Sequence, residues 1–100
     1  MSARLKNITP GEILLEDYMK PMGLSQNALA RALGVPPRRI NEIVQGNRSI
    51  TLDTSLRLGR YFGQSPRFWL NIQMDCDLRN AGQFIKKIER EVHPLEATAA

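Results

Sequence analysis

The sequence predicts an all-α fold of five helices followed by a short C-terminal helical extension. Three observations carry that expectation: apolar residues recur at three- and four-residue spacing in six successive segments, caps and prolines stand where helices begin, and glycines stand where they end. With 100 residues, 42% of them apolar, the chain can bury one modest core and not two.

Thr9-Pro10-Gly11-Glu12 opens the first helix: Thr9 caps it, Pro10 suits its first position, and Glu12 stands where a capping box needs an acid. Ile13, Leu14, Tyr18 and Met19 form its apolar stripe, and Pro21 and Gly23 close it. Ser25 caps a second helix whose apolar face is Leu29, Ala30 and Leu33, with Gly34 as its left-handed terminator. Val35 is a buried turn residue, after which Pro36-Pro37 opens a third helix with Ile40, Ile43 and Val44 inward and Gly46 at its end.

Thr51 and Asp53 are expected to cap a fourth helix that buries Leu52, Leu56 and Phe62, with Leu58 widening the face. Gly59 inside that helix signals close packing, since glycine there costs about 1 kcal/mol relative to alanine. Ser65-Pro66 reads as the start of a fifth helix that carries Phe68, Trp69, Ile72 and Cys76 and runs to Asn80. Phe68 and Trp69 are core aromatics, whereas Asn71 and Gln73 read as its wet side. After Gly82, Phe84, Ile85, Ile88 and Val92 keep helical spacing up to Pro94; His93 reads as exposed and the residues after Leu95 as a loose tail. The expected division is a domain over 1–80 and an extension over 81–100.

Composition removes several function classes. One cysteine, Cys76, excludes an internal disulfide and reads as a small buried hydrophobe; one histidine, His93, leaves no zinc-ligand cluster. Arg4 and Lys6 are not followed by the apolar stretch of a signal peptide, and no window approaches the roughly 20 apolar residues that span a bilayer, so a cytoplasmic location and no membrane partner are expected. The acids fall at caps or on exposed faces, with no metal or nucleophile constellation, so neither an enzyme nor a cofactor is called for.

The net charge of +4 is unevenly placed. Residues 1–24 balance Arg4, Lys6 and Lys20 against Glu12, Glu16 and Asp17, and residues 61–100 hold five cations and five acids. Residues 25–60 carry six arginines against only Glu42 and Asp53, a concentration that suits a polyanion.

Residues 25–46 lie inside that basic segment. Two short helices meeting at Gly34 with Val35 in the turn form a helix-turn-helix, in which the second helix can enter a DNA major groove while the first lies across the backbone. Once Ile40, Ile43 and Val44 turn inward, Pro37, Arg38, Arg39, Asn41, Glu42 and Gln45 face out. Arginine matches guanine bidentately and asparagine or glutamine matches adenine, which makes Arg38, Arg39, Asn41 and Gln45 the base-reading candidates. Gln26 at the start of the second helix, Pro37, and the loop residues Asn47 and Arg48 are the backbone-contact candidates.

The pattern Ser25-Gln26-x-x-Leu29-Ala30-x-x-Leu33-Gly34-Val35, with Ile40-x-x-Ile43 and Gly46, resembles the XRE class of regulators, which includes phage repressors and Cro proteins, and implies a lambda-repressor-like domain. Thr-Pro-Gly-Glu at 9–12, Ile-Thr-Leu-Asp-Thr-Ser-Leu-Arg-Leu-Gly-Arg-Tyr-Phe-Gly at 50–63 and Ser-Pro-Arg-Phe-Trp-Leu-Asn-Ile-Gln at 65–73 are similar to HigA-type antitoxins. That resemblance implies a dimer that represses its own operon at an inverted-repeat site on double-stranded DNA and neutralises a HigB-type toxin, an mRNA endonuclease of the RelE fold. A phage-type repressor without a toxin is the alternative. Many XRE proteins place a Ser or Thr cap where this chain has Pro36, which shifts base reading away from Pro37.

Apolar residues left over once a five-helix core is filled, Leu70, Met74, Phe84, Ile85, Ile88 and Val92, are the dimer candidates; alternatively the last helix folds back onto its own core. A basic toxin would meet acids, and two zones offer them: Glu12, Glu16 and Asp17 on the first helix, and Asp75 and Asp77 on the fifth, with Glu89 and Glu91 further along.

Overall fold

In a computed structural model the structure describes residues 8–96. Arg4, Lys6 and the tail after Glu96 lie outside them. Six helices follow one another with no strand among the described residues: α1 (Pro10–Ile13, continuing without a break as a π-helix over Leu14–Met19), α2 (Gln26–Leu33), α3 (Pro37–Val44), α4 (Leu52–Phe62), α5 (Phe68–Arg79) and α6 (Gly82–Glu91). None is long and apolar enough to cross a membrane.

The capping box of α1 forms as its sequence requires. Thr9 Oγ1 accepts from Glu12 N at 3.1 Å, and Glu12 Oε1 accepts from Thr9 N at 3.4 Å. The helix then widens, with Lys20 N donating to Leu15 O across five residues, and it closes past Gly23, where Leu24 N donates to Met19 O. At about 100° per residue an ordinary helix would point Leu14 and Met19 to different sides. The π register lets both be fully buried and brings Tyr18 against Phe62 and Trp69, each ring centroid 5.1 Å away.

The core gathers Leu14, Met19, Leu29, Leu33, Ile40, Ile43, Ile50, Leu58 and Trp69. Trp69 Nε1 donates to Gln64 Oε1 at 2.6 Å, so the buried indole leaves no unmet donor. Cys76 is buried, as a small hydrophobe would be, and burial pushes its thiol up, with Asp77 and Asp75 adding to the shift and Arg79 opposing it.

Expectations for α4 and for the start of α5 are corrected. On α4 the buried face is Thr54, Ser55, Leu58 and Gly59, whereas Leu52 and Leu56 are exposed and Phe62 is half-buried. The reason is close approach: α4 packs on the turn before α5, where a Cβ on Gly59 would lie 3.1 Å from the carbonyl oxygens of Gln64 and Ser65. Ser55 Oγ donates to Pro66 O at 2.9 Å and accepts from Leu70 N at 3.2 Å, which satisfies a fully buried hydroxyl. Neither Thr51 nor Asp53 caps α4 through its side chain. The second correction is the start of α5. Ser65-Pro66-Arg67 forms a turn, with Ser65 Oγ accepting from Arg67 N, and the helix begins at Phe68.

Helix α6 buries no residue, and its Phe84, Ile85 and Ile88 are exposed, as are Val92 and His93 beyond it. It does not fold back onto the core, and the described chain is elongated, 54 × 28 × 22 Å.

Gly11 is buried where α1 crosses the end of α3, and a Cβ there would drive into the Ile43 carbonyl. Gly11→Ala should therefore lower stability by about 1–3 kcal/mol, whereas Gly82→Ala, with open space around its Cβ, should be neutral. Chemical denaturation of the two variants checks this; equal midpoints would contradict the packing.

Candidate nucleic-acid interface

The turn between α2 and α3 decides which side chains face outward. Gly34 adopts φ 72°, Val35 N donates to Ala30 O at 3.0 Å and Gly34 N to Arg31 O at 3.2 Å, and Val35 itself is buried. This is a Schellman closure, complete with its apolar residue after the glycine. Arg57 of α4 braces it from below, its Nη1 donating to Leu33 O at 2.9 Å. α3 then starts at Pro37 with no side-chain cap, because Pro36 has no hydroxyl to offer.

Ile40 and Ile43 are buried and Val44 is half-buried, so Pro37, Arg38, Asn41 and Gln45 are left exposed on the other face, with Arg39 and Glu42 partly covered. Gln26 of α2 sits beside Asn41, whose Nδ2 donates to Gln26 Oε1 at 3.2 Å. A backbone-contact candidate and a base-reading candidate are thus tied together. At the other end Asn47 Nδ2 donates to Gln45 Oε1 at 3.3 Å. The first-turn amides of Gln26 and Asn27 have no acceptor within α2, while Ser25 Oγ takes that of Ala28. They suit a phosphate oxygen, which the positive end of the helix also favours.

The two acids of the basic segment each hold two arginines. Glu42 Oε2 accepts from Arg38 Nε and Glu42 Oε1 from Arg48 Nε, both at 2.8 Å. Asp53 Oδ2 accepts from Arg39 Nη1 at 2.6 Å and from Arg57 Nε at 2.9 Å. Arg31 and Arg60 have no ion-pair partner among the described residues. The guanidiniums of Arg38 and then Arg48 hold the Glu42 carboxyl below its ordinary range, and those of Arg39 and Arg57 do the same for Asp53.

Sequence reasoning missed Gln73. Rather than facing water, it is half-buried: its Oε1 accepts from Ile50 N at 2.8 Å and its Nε2 donates to Asp77 Oδ1 at 3.0 Å. It ties α5 to the loop that carries Asn47 and Arg48. The signal was present, because Gln73 stands four residues after Trp69 and three before Cys76, on the inward stripe. Arg57, which braces the turn, had no such signal.

The acidic zones lie elsewhere. Glu12 is engaged in its cap, Glu16 pairs with Lys20 at 2.9 Å, and Asp17, Asp75 and Asp77 are exposed. No group of three or more acidic, histidine or cysteine side chains that could hold a metal occurs among the described residues.

A family model described as helix-turn-helix matches residues 15–69. The chain is 62% identical to virulence-associated protein I of Dichelobacter nodosus over 76% of its own length and 70% of that protein. It is 32% identical to antitoxin HigA-1 of Vibrio cholerae, over 88% and 83%. The structure of Pseudomonas aeruginosa antitoxin HigA with the higBA promoter matches with a TM-score of 0.83 at 42% identity, covering 90% of this chain and 99% of that one. The chain belongs to the helix-turn-helix family, a family of transcription regulators and antitoxins rather than of catalysts. Within it the chain is of the XRE type, and its place is among the HigA-type antitoxins.

A carboxyl whose folded pKa is lowered contributes stability above its unfolded pKa and loses that contribution as pH falls through the folded value. The thermal midpoint should therefore drop on acidification below the ordinary carboxylate range. The double variant Glu42→Gln, Asp53→Asn should show a shallower drop; parallel curves for the two proteins would contradict the clamps.

Proposed function

We propose that the chain is a DNA-binding antitoxin that represses its own operon. The observation that carries this reading is the outward face of α3, which exposes Arg38, Asn41 and Gln45 in the basic part of the chain and sets Asn41 against Gln26 at the free amide end of α2. Arg38, Arg39, Asn41 and Gln45 read base edges; Gln26, Pro37, Asn47 and Arg48 meet the backbone. Asn41 is presented by Gln26, and Gln45 by Asn47. That HigA of Pseudomonas aeruginosa was solved with its own promoter supports the same use of this fold.

The chain acts as a homodimer through the largely exposed residues Leu70, Met74, Phe84, Ile85, Ile88 and Val92, of which Phe84, Ile85 and Ile88 lie on a helix that has no core of its own to cover and Val92 just follows it. Leu70 is the exception in being half-buried. Residues 1–80 form a lambda-repressor-like domain and 81–100 an extension that serves this contact. Two-fold symmetry would set the reading helices about one DNA turn apart, roughly 34 Å, on an inverted repeat. The protein works in the bacterial cytoplasm and binds a basic HigB-type toxin through Glu12, Glu16 and Asp17 or through Asp75 and Asp77.

A gel-shift with the DNA upstream of the chain's own gene tests the DNA reading. Arg38→Ala with Arg39→Ala should cost several kcal/mol of operator affinity, at about 1–3 per bidentate contact, with folding intact by circular dichroism. Arg48→Ala should weaken operator binding and lower its salt slope by about one. Unchanged operator affinity in the double variant would remove α3 from the role of reader.

The toxin reading is tested by growth. Co-expression with the neighbouring reading frame should rescue cells that the neighbour alone arrests, and charge reversal of one acidic zone should abolish rescue while sparing operator binding. Rescue by both reversed variants would refute the acidic surface, and a harmless neighbour would refute the antitoxin role.

A further inference from the structure

We infer that Glu42 is a specificity-determining residue of the interface, which withholds Arg38 and Arg48 from the phosphates of unrelated DNA. The inference rests on the DNA-binding reading above, and it gives a role to an α3 residue that the reading leaves unused.

Glu42 is the acid on the outward side of α3, between Asn41 and Gln45 in the chain. Both of its oxygens are engaged, Oε2 by Arg38 from one turn earlier on the helix and Oε1 by Arg48 from the loop beyond it. The carboxylate thereby occupies donors that a phosphate oxygen would take. Its side chain is only 25% exposed, against 84% for Arg38, so the acid is sheltered while one of the cations it holds projects outward.

Against a generic duplex this arrangement is unfavourable twice over. The two arginines must leave a charge-assisted partner before they meet phosphates, and the carboxylate they leave faces a surface of like charge. On the operator, base-edge contacts by Asn41 and Gln45 offset that cost, and a cytosine amino group can take the freed carboxylate. The cost falls on every sequence, whereas the compensation exists on one. The Asp53 clamp differs, because Arg57 is also committed to the Leu33 carbonyl and braces the fold.

The test measures the affinity of the full chain for its own upstream DNA and for an unrelated duplex of equal length, across a salt series. Glu42→Gln should tighten binding to the unrelated duplex about three- to tenfold and steepen its salt dependence by about one to two, while operator affinity changes less, so that the ratio between the two falls. Glu91→Gln, which makes the same charge change beside Lys87 on α6, should leave the ratio unchanged. With Arg38 and Arg48 both replaced by alanine, Glu42→Gln should no longer tighten binding to unrelated DNA. Melting curves by circular dichroism confirm that each variant folds. An unaltered ratio in Glu42→Gln, an equal shift in Glu91→Gln, or a gain that survives removal of both arginines would overturn the inference while the DNA reading stands. A wild-type chain that does not prefer its upstream DNA would overturn both.

Discussion

The backbone reversal at Gly34 is the constraint on which the interface depends. Its φ of 72° lies where side chains other than glycine are strained, and the two hydrogen bonds it permits end α2 while turning Val35 into the core. The direction of α3 follows from that reversal, because Pro36 and Pro37 leave the chain little other freedom and Ile40 and Ile43 must reach the same core as Val35. Arg57 then secures the turn from α4. Three elements meet at one residue, and the angle between the two short helices is the result.

Electrostatics add a second layer to that geometry. Of the six arginines in residues 25–60, four are engaged by Glu42 and Asp53, so the field of the free protein is weaker at α3 than the formal charge suggests. The same two acids fix where those cations rest. Asp53 joins the middle of the interface to α4 through Arg39 and Arg57, and Glu42 joins the helix to the loop through Arg38 and Arg48. Exposed pairs of this kind contribute little to folding, and their larger consequence is the order they impose on long side chains before any partner arrives.

Much of this was legible in the sequence because its signals were local. The Thr9–Glu12 capping box, the Ser25 cap, the Gly34 terminator and the inward Ile40 and Ile43 each follow from neighbours within four residues. The Gly59 expectation also held, since carbonyls of the next turn close over it. Most of what failed depended on contacts distant in the chain, although the start of α5 turns on a local one, Ser65 Oγ accepting from Arg67 N. Hydrophobicity points Leu52 and Leu56 to the core, whereas α4 turns Thr54, Ser55, Leu58 and Gly59 inward, with Gly59 against carbonyls that approach too closely for a larger side chain. The π register of α1 is likewise a tertiary choice, made so that Leu14 and Met19 can both be buried. At the site, the outward residues were readable from periodicity, but the pairing of Arg39 with Asp53, fourteen residues away, was not.

The tightest junction in the fold also bears on how two partners could act on one another. α1 carries Glu12, Glu16 and Asp17, and its Gly11 lies against the carbonyl of Ile43 near the end of α3, with no room for a methyl group. α5 carries Asp75 and Asp77, and through Gln73 it holds the backbone of Ile50, just past the loop of Asn47 and Arg48. Each acidic zone is therefore one packed contact away from an element of the proposed DNA surface. A close-packed interior transmits displacement poorly by bending and well by shifting whole elements. A partner seated on either zone that favours a different position of α1 or α5 must alter the energy of placing α3 or its loop on DNA, and thermodynamic linkage makes the effect equal in the opposite direction. The sign depends on which position of α1 or α5 each partner prefers, so the same scaffold can serve co-repression or release without any change in the residues that touch DNA.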